Sequence, residues 1–205
     1  MLRPVIAVVT SWLLVSPGAG AAQTCAEPHY RWSEKIDTAF AARPAARVEI
    51  TTILTGWAPR SLTSKDICAP RAGREDSVFV VSGWARRVQL HEADGDTHME
   101  LTQAASSPVT SCVIVEIPAD RYGVAYRHAR TALAALVDTT RLSQRGDLDP
   151  PVAVQVTGLA FFDGWHQQVP AAGGPSRATQ HGRCNSSLRA LWEIHPVYKV
   201  AAPGP

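Results

Sequence analysis

The chain has 205 residues, 45% hydrophobic and 19% charged, with 20 Lys and Arg against 18 Asp and Glu. That composition is nearly balanced in charge. It supplies no bulk charge favouring nucleic acid or anionic lipid, so no partner follows from it.

The N-terminus carries Arg3, an apolar run from Val5 to Val15, a Ser16-Pro17-Gly18 break, and the small residues Ala19-Gly20-Ala21-Ala22. These are the three regions of a cleaved secretory signal. They predict a signal peptide over 1–22 and a protein exported to the periplasm or the extracellular medium. The apolar run is too short to span roughly 30 Å of hydrocarbon as a helix. No later segment is long enough either, so no membrane span is expected in the mature chain. Its length of about 180 residues suits one domain with one core. Cys25, Cys68, Cys112 and Cys184 are scattered, with no Cys-x-x-Cys pair. In an oxidising compartment they are disulfide candidates, with three pairings open.

Residues 23–76 read as an N-terminal strand and loop extension packed on the main domain. A short helix runs from Ser33 to Arg43, where Pro44 stops it. The β-branched stretch Arg47–Trp57 reads as a strand, and 58–76 as a loop tied down by Cys68. Ser77–His91 is a long strand with Gly83 near its middle, followed by the hairpin turn Ala93-Asp94-Gly95. From Asp96 to Gln103 the chain alternates. Thr97, Met99 and Leu101 share one face, and Asp96, His98, Glu100 and Thr102 the other, which is the period of a half-exposed strand. Cys112–Ile117 is a short apolar strand. Tyr122, Ala129, Leu133, Leu136 and Val137 recur at helical spacing, predicting a helix over 121–142. A linker over 146–151 leads to a strand at Val152–Phe162. A loop over 163–190, rich in Gly, Ser, Arg and His, precedes the last strand at Leu191–Val200. A loop that long is uncommon unless it is functional or mobile. Residues 201–205 read as a disordered tail.

The order from 77 to 200 is therefore β-β-β-α-β-β. The class is mainly β (a β-rich α+β fold). The expected architecture is an OB-fold-like five-stranded barrel with one helix between strands 3 and 4. Gly83 would ease the bend of its long first strand. The rival is another small barrel or sandwich with a helix laid across it.

Several segments carry a resemblance: GWARRVQLHEADGDTHMEL (83–101), IVEIP (114–118), VTGLAFFD (156–163) with His166 soon after, and WEIHPV (192–197). Together they resemble a broad group of exported bacterial proteins of uncharacterised function. The resemblance implies an OB-like barrel and brings no activity or catalytic residue with it. Where it leads one to expect a short HG-type sequence after FFD, this chain has Asp163-Gly164-Trp165-His166-Gln167-Gln168.

The ionisable residues gather at particular places. Asp94, Asp96 and His98 lie at the first hairpin, Glu116 ends the third strand, and Asp163 and His166 open the long loop. Glu193 and His195 alternate on the last strand and so share a face. In an OB-fold the loops after strands 1 and 4 flank the ligand face, which would make neighbours of the hairpin and the 163–190 loop. Asp96, His98, Asp163 and His166 are the candidate metal ligands, since imidazole with carboxylate suits zinc or a similar divalent ion. No other cofactor is implied. The bland alternatives are turn chemistry at Asp94, a solvated face for Asp96 and His98, and a Glu193–His195 hydrogen bond within the strand. Trp57, Trp84 and Trp192 read as core, and Trp165 as a ligand contact or lid. Arg86 and Arg87, being adjacent, should face opposite sides of their strand.

Three functions remain open. The first is an exported OB-like module binding an oligomer, peptide or protein partner. The alternative is a metal-dependent hydrolase or nuclease using the Asp/Glu/His residues. It requires at least three of those side chains to converge within about 5 Å. The third is a structural envelope protein.

Overall fold

A computed structural model describes residues 25–204 apart from 91, 172 and 180. The expected signal peptide lies outside the described residues. Among the described residues, eight strands and three α-helices follow in chain order: α1 (Trp32–Lys35), β1 (Ala45–Arg47), α2 (Ile50–Gly56), β2 (Val78–Gln89), β3 (Thr97–Thr102), β4 (Cys112–Ile117), α3 (Val124–Leu136), β5 (Asp147–Phe162), β6 (Gln167–Gln168), β7 (Arg177–Ala178) and β8 (Trp192–Ala201). The protein is mainly β, with a six-stranded sheet and few helices.

The sheet runs β1-β2-β3-β4-β8-β5, and β5 pairs again with β2. The pairings therefore return to the strand they left. β1 on β2 and β4 on β8 are parallel, while the other contacts in this sheet are antiparallel. Buried side chains from both ends of the chain fill the interior, among them Val81, Met99, Leu101, Val113, Val115, Val156, Leu159 and Ile194. Across one side lies α3, whose Tyr126, Ala129 and Leu133 are buried. Two tyrosines from separate elements, Tyr126 and Tyr198, both donate their hydroxyls to the Asp37 carbonyl, at 2.9 and 2.8 Å.

Several local expectations are corrected. The predicted strand over 47–57 is mostly the helix α2. Its β-branched residues favour strand locally, but Ile50, Ile53 and Trp57 recur at i, i+3 and i+7, and all three are buried. Packing of that stripe overrides the weak propensity. The expected helix from Ser33 shrinks to the four residues of α1, and α3 stops at Leu136 with single 3₁₀ turns on either side. The linker over 146–151 is instead the start of β5, since Asp147 already pairs with Arg87. At the far end β8 runs one residue into the expected tail, with Ala201 paired to Gln155.

The bend of β2 falls at a register shift between Ala85 and Arg87 rather than at Gly83. Arg86 is the extra residue of that bulge, so the simple alternation expected for Arg86 and Arg87 fails there. Gly83 serves close packing instead. A Cβ there would sit 2.6 Å from Ile50 Cδ1 and 2.9 Å from the Thr102 carbonyl oxygen.

β3 is buried along its whole length rather than half-exposed. Its polar face is covered by the late loop: the Arg183 backbone N–H and guanidinium donate to Glu100 at 3.0 and 2.5 Å. A buried carboxylate is tolerated because it is paired and hydrogen-bonded. Two disulfides, Cys25–Cys68 and Cys112–Cys184, close the chain, and no free cysteine occurs among the described residues. They point to an oxidising, extracellular-type environment. No described helix is long and apolar enough to cross a membrane.

The N-terminal segment is anchored by Arg31, which is fully buried. Its guanidinium donates to both Glu75 oxygens at 2.8 and 2.9 Å, a bidentate pair. Glu75 also accepts the Phe162 backbone N–H at 2.8 Å. That knot brings residues 27–35 to the end of β5, where the pocket opens.

Candidate metal and acid–base pocket

A pocket of about 510 Å³ lies where the N-terminal segment, the β2–β3 hairpin, β4, β8 and the late loop meet. Its wall includes the carboxylates of Glu27, Glu92, Asp94, Glu116, Asp163 and Glu193. Lys35 is the one ammonium or guanidinium on the described wall. It sits 3.8 Å from Asp163 Oδ2. Burial would discharge its ammonium, but Asp163, Glu116, Glu193 and Asp94 outweigh burial and hold its pKa above the ordinary lysine value.

Behind the wall runs a chain of alternating imidazoles and carboxylates. His98 Nδ1–H donates to Glu116 Oε1 at 2.9 Å. His195 Nδ1 lies 2.9 Å from Glu116 Oε2 and 3.3 Å from Glu193 Oε2. Glu193 Oε1 accepts from His181 Nε2–H at 2.7 Å. Asp96 Oδ2 is 3.2 Å from His195 Nε2 on the far side, an ion-pair separation without hydrogen-bond alignment. β-sheet register explains the assembly: His98 pairs directly with Glu116 across β3 and β4, and β4 runs parallel to β8 beside Glu193.

Electrostatics fixes the ionisation. Burial opposes charge on His195, yet Glu116 and then Asp96 and Glu193 raise its pKa well above the ordinary value. Burial raises the Glu116 carboxyl, but His195 and His98 more than reverse this and hold it well below the ordinary range. Glu193 is likewise burdened by burial and by Glu116, and hydrogen bonds from His181 and His195 bring it down to about 2. The interior of this chain is thus an ion-paired framework.

Among the described residues, three groups place ligand atoms within 4.8 Å of one another: Asp163, His166 and His181; Glu92, His98 and Glu116; and Asp96, Glu116 and His195. The four candidate metal ligands therefore do not form one set. Asp163 and His166 belong together, whereas His98 faces Glu116 and Asp96 lies behind the wall against His195. Asp96 and His98 are not the solvated strand face of the bland alternative, being 0% and 5% exposed.

The first group differs from the others. In the second, His98 Nδ1 is already held by Glu116 and its unpartnered Nε2 lies toward Glu100, 4.0 Å away, outside the group; in the third, both His195 nitrogens face carboxylates. In the first, the His181 Nε2–H goes to Glu193 and its Nδ1 is buried without a partner. A carboxylate gripping one ring nitrogen while the other stays available is how metal-ligating histidines are oriented. Burial opposes charge on His181, but Glu193 raises its pKa, so a metal would displace a proton on binding. His166, half-buried, has a pKa below the ordinary value, chiefly through burial, which favours the neutral, ligating form. Its Nε2 lies 3.9 Å from Asp163 Oδ2. Asp163 is held by the Trp165 backbone N–H at 2.9 Å.

Sequence reasoning missed His181, a loop residue with no period around it. The available signal was Cys184 three residues later, whose disulfide ties that loop to the start of β4. It also missed Glu92, Lys35 and the wall residues from 27–30. Trp165, 53% exposed, stands on the rim, its ring centroid 6.1 Å from that of Tyr30. Trp57 and Trp192 are core, and Trp84 is half-buried. Comparison with protein-family models, curated proteins and solved structures yields no match for this chain.

Proposed function

We propose that the protein is an exported, OB-like module whose pocket binds one divalent transition-metal ion through Asp163, His166 and His181 for hydrolytic chemistry. The closed ring of pairings, with α3 between its third and fourth strands, supports the barrel reading. The observation that carries the metal reading is the buried, partnerless Nδ1 of His181, with its Nε2–H held by Glu193.

Two imidazoles and one carboxylate suit zinc, and a three-ligand set leaves a position for water or substrate. Such an ion supplies Lewis-acid polarisation and water activation. The chain's own residues do the rest: Glu193 orients His181 and the Trp165 N–H orients Asp163. A pure binding module for a polar ligand is the second reading, favoured by the exposed Trp165 beside Tyr30 on the rim.

Elemental analysis and zinc titration of the purified protein test the proposal. About one zinc per chain is expected, lost in His181→Ala and His166→Ala and retained in His98→Ala. Zinc-free wild type that does not take up zinc at micromolar concentration overturns it.

A further inference from the structure

Building on that metal reading, we infer that Glu92 is the proton-transfer residue of this pocket and that its substrate is a neutral acyl compound, an ester or amide. Every other carboxylate on the wall is committed. Glu116 and Glu193 accept from the histidine chain. Asp163 accepts the Trp165 N–H and pairs with Lys35. Asp94 accepts the Asp96 N–H at 3.1 Å, and Glu27 accepts from Ser33. Among the described residues Glu92 has only His98 Nδ1 at 3.5 Å, and that N–H already goes to Glu116. Its side chain is one-third exposed, so it reaches both the pocket and bulk water.

Ionisation agrees with that placement. Burial first, then Glu116, Asp94 and Glu193, raise the Glu92 carboxyl to about 7, against the opposing pull of His98. These groups face it from β4, from its own hairpin, from β8 and from β3. A group titrating near the working pH is the effective acid–base catalyst.

The substrate class follows from charge. Six carboxylates line the pocket against the Lys35 ammonium, and even with His98 charged and a zinc dication bound the negative charges outnumber the positive ones. A phosphate ester would bring further negative charge against that wall, whereas a neutral carbonyl compound would not. In the step, Glu92 carboxylate takes a proton from water as the water oxygen bonds to the acyl carbon and the carbonyl π pair moves to oxygen. The tetrahedral adduct collapses, the bond to the leaving oxygen or nitrogen breaks, and Glu92 returns the proton to that atom. Water is consumed, and a carboxylic acid and an alcohol or amine are released.

The test uses zinc-loaded protein with 4-nitrophenyl acetate and bis(4-nitrophenyl) phosphate from pH 5 to 9, beside carboxyl-¹³C NMR titration of the zinc-free protein. Wild type should hydrolyse the acetate above the His166→Ala background and leave the phosphate diester untouched. Glu92→Gln should bind zinc with unchanged stoichiometry, lose about 100-fold in rate, and lose the rising limb of the pH profile. One glutamate resonance titrating near pH 7 should vanish in that variant. Zinc binding without ester hydrolysis, an unchanged profile in Glu92→Gln, or preference for the phosphate diester overturns this inference and leaves the metal reading standing. Failure to bind zinc overturns both.

Discussion

Removing the Cys112–Cys184 disulfide by Cys112→Ala/Cys184→Ala should weaken the fold and the metal site together. The bridge spans 72 residues. The loop-closure relation gives about 4.4 kcal/mol for that span, and the void left by two buried sulfurs adds to it. Cys25–Cys68 spans 43 residues, worth about 4.0 kcal/mol by the same relation. On stability alone the two double variants should therefore look similar, each melting roughly 8–18 °C lower. Their effect on zinc should differ. Cys184 donates its backbone N–H to the His181 carbonyl at 3.1 Å, so its bridge to β4 fixes the loop that presents His181. Freeing even one residue's backbone adds roughly 1–2 kcal/mol to the cost of binding, about tenfold in affinity. Cys25–Cys68 restrains only the outer wall, which holds no proposed ligand. Scanning calorimetry and zinc titration of both variants decide the matter. Equal zinc affinity in the two, or loss within twofold in the Cys112/Cys184 variant, would refute the coupling between that bridge and the site.

Two other outcomes test the framework. Gly158→Ala would place a Cβ 2.4 Å from the Pro196 carbonyl oxygen and 2.9 Å from Val197 Cα. Backbone cannot rotate aside, so a loss of about 1–3 kcal/mol is expected; an unchanged urea midpoint contradicts the close β5–β8 packing. Stability should also depend on pH through His195 and Glu116. The raised His195 pKa contributes stability fully present below its unfolded value near 6.5, which is lost as pH rises through the folded value. The lowered Glu116 pKa contributes stability present above about 4.5 and lost as pH falls. Urea unfolding should show a maximum between these limits and a decline toward pH 9. His195→Gln should flatten the alkaline decline, and an unaltered slope in that variant would show that the buried cation is not its source.

Much of the local structure was legible. Cys112–Ile117 is read to the residue because a short apolar run bounded by turn residues admits little else. The β2–β3 hairpin follows from Asp94-Gly95, and Gly95 does adopt φ +93°. The first, α2-forming segment was misread because its β-branched composition spoke louder than the Ile50–Ile53–Trp57 spacing. Half of the candidate site was legible too: Asp163 and His166 sit three residues apart at the start of a long loop, and both reach the pocket. His181 and Glu92 carried no comparable mark.

Alternation along β3 determines that Asp96, His98 and Glu100 share a face, because successive side chains must point to opposite sides of a pleated strand. It is silent on what that face meets. Whether these carboxylates and imidazoles stand in water or in a buried ion-paired chain depends on β4 lying beside β8 and on the 181–193 segment folding over them. Those contacts join residues far apart in sequence. Long-range closure, not local pattern, turned a polar strand face into buried ion pairs, with His98 alone of the three reaching the pocket wall.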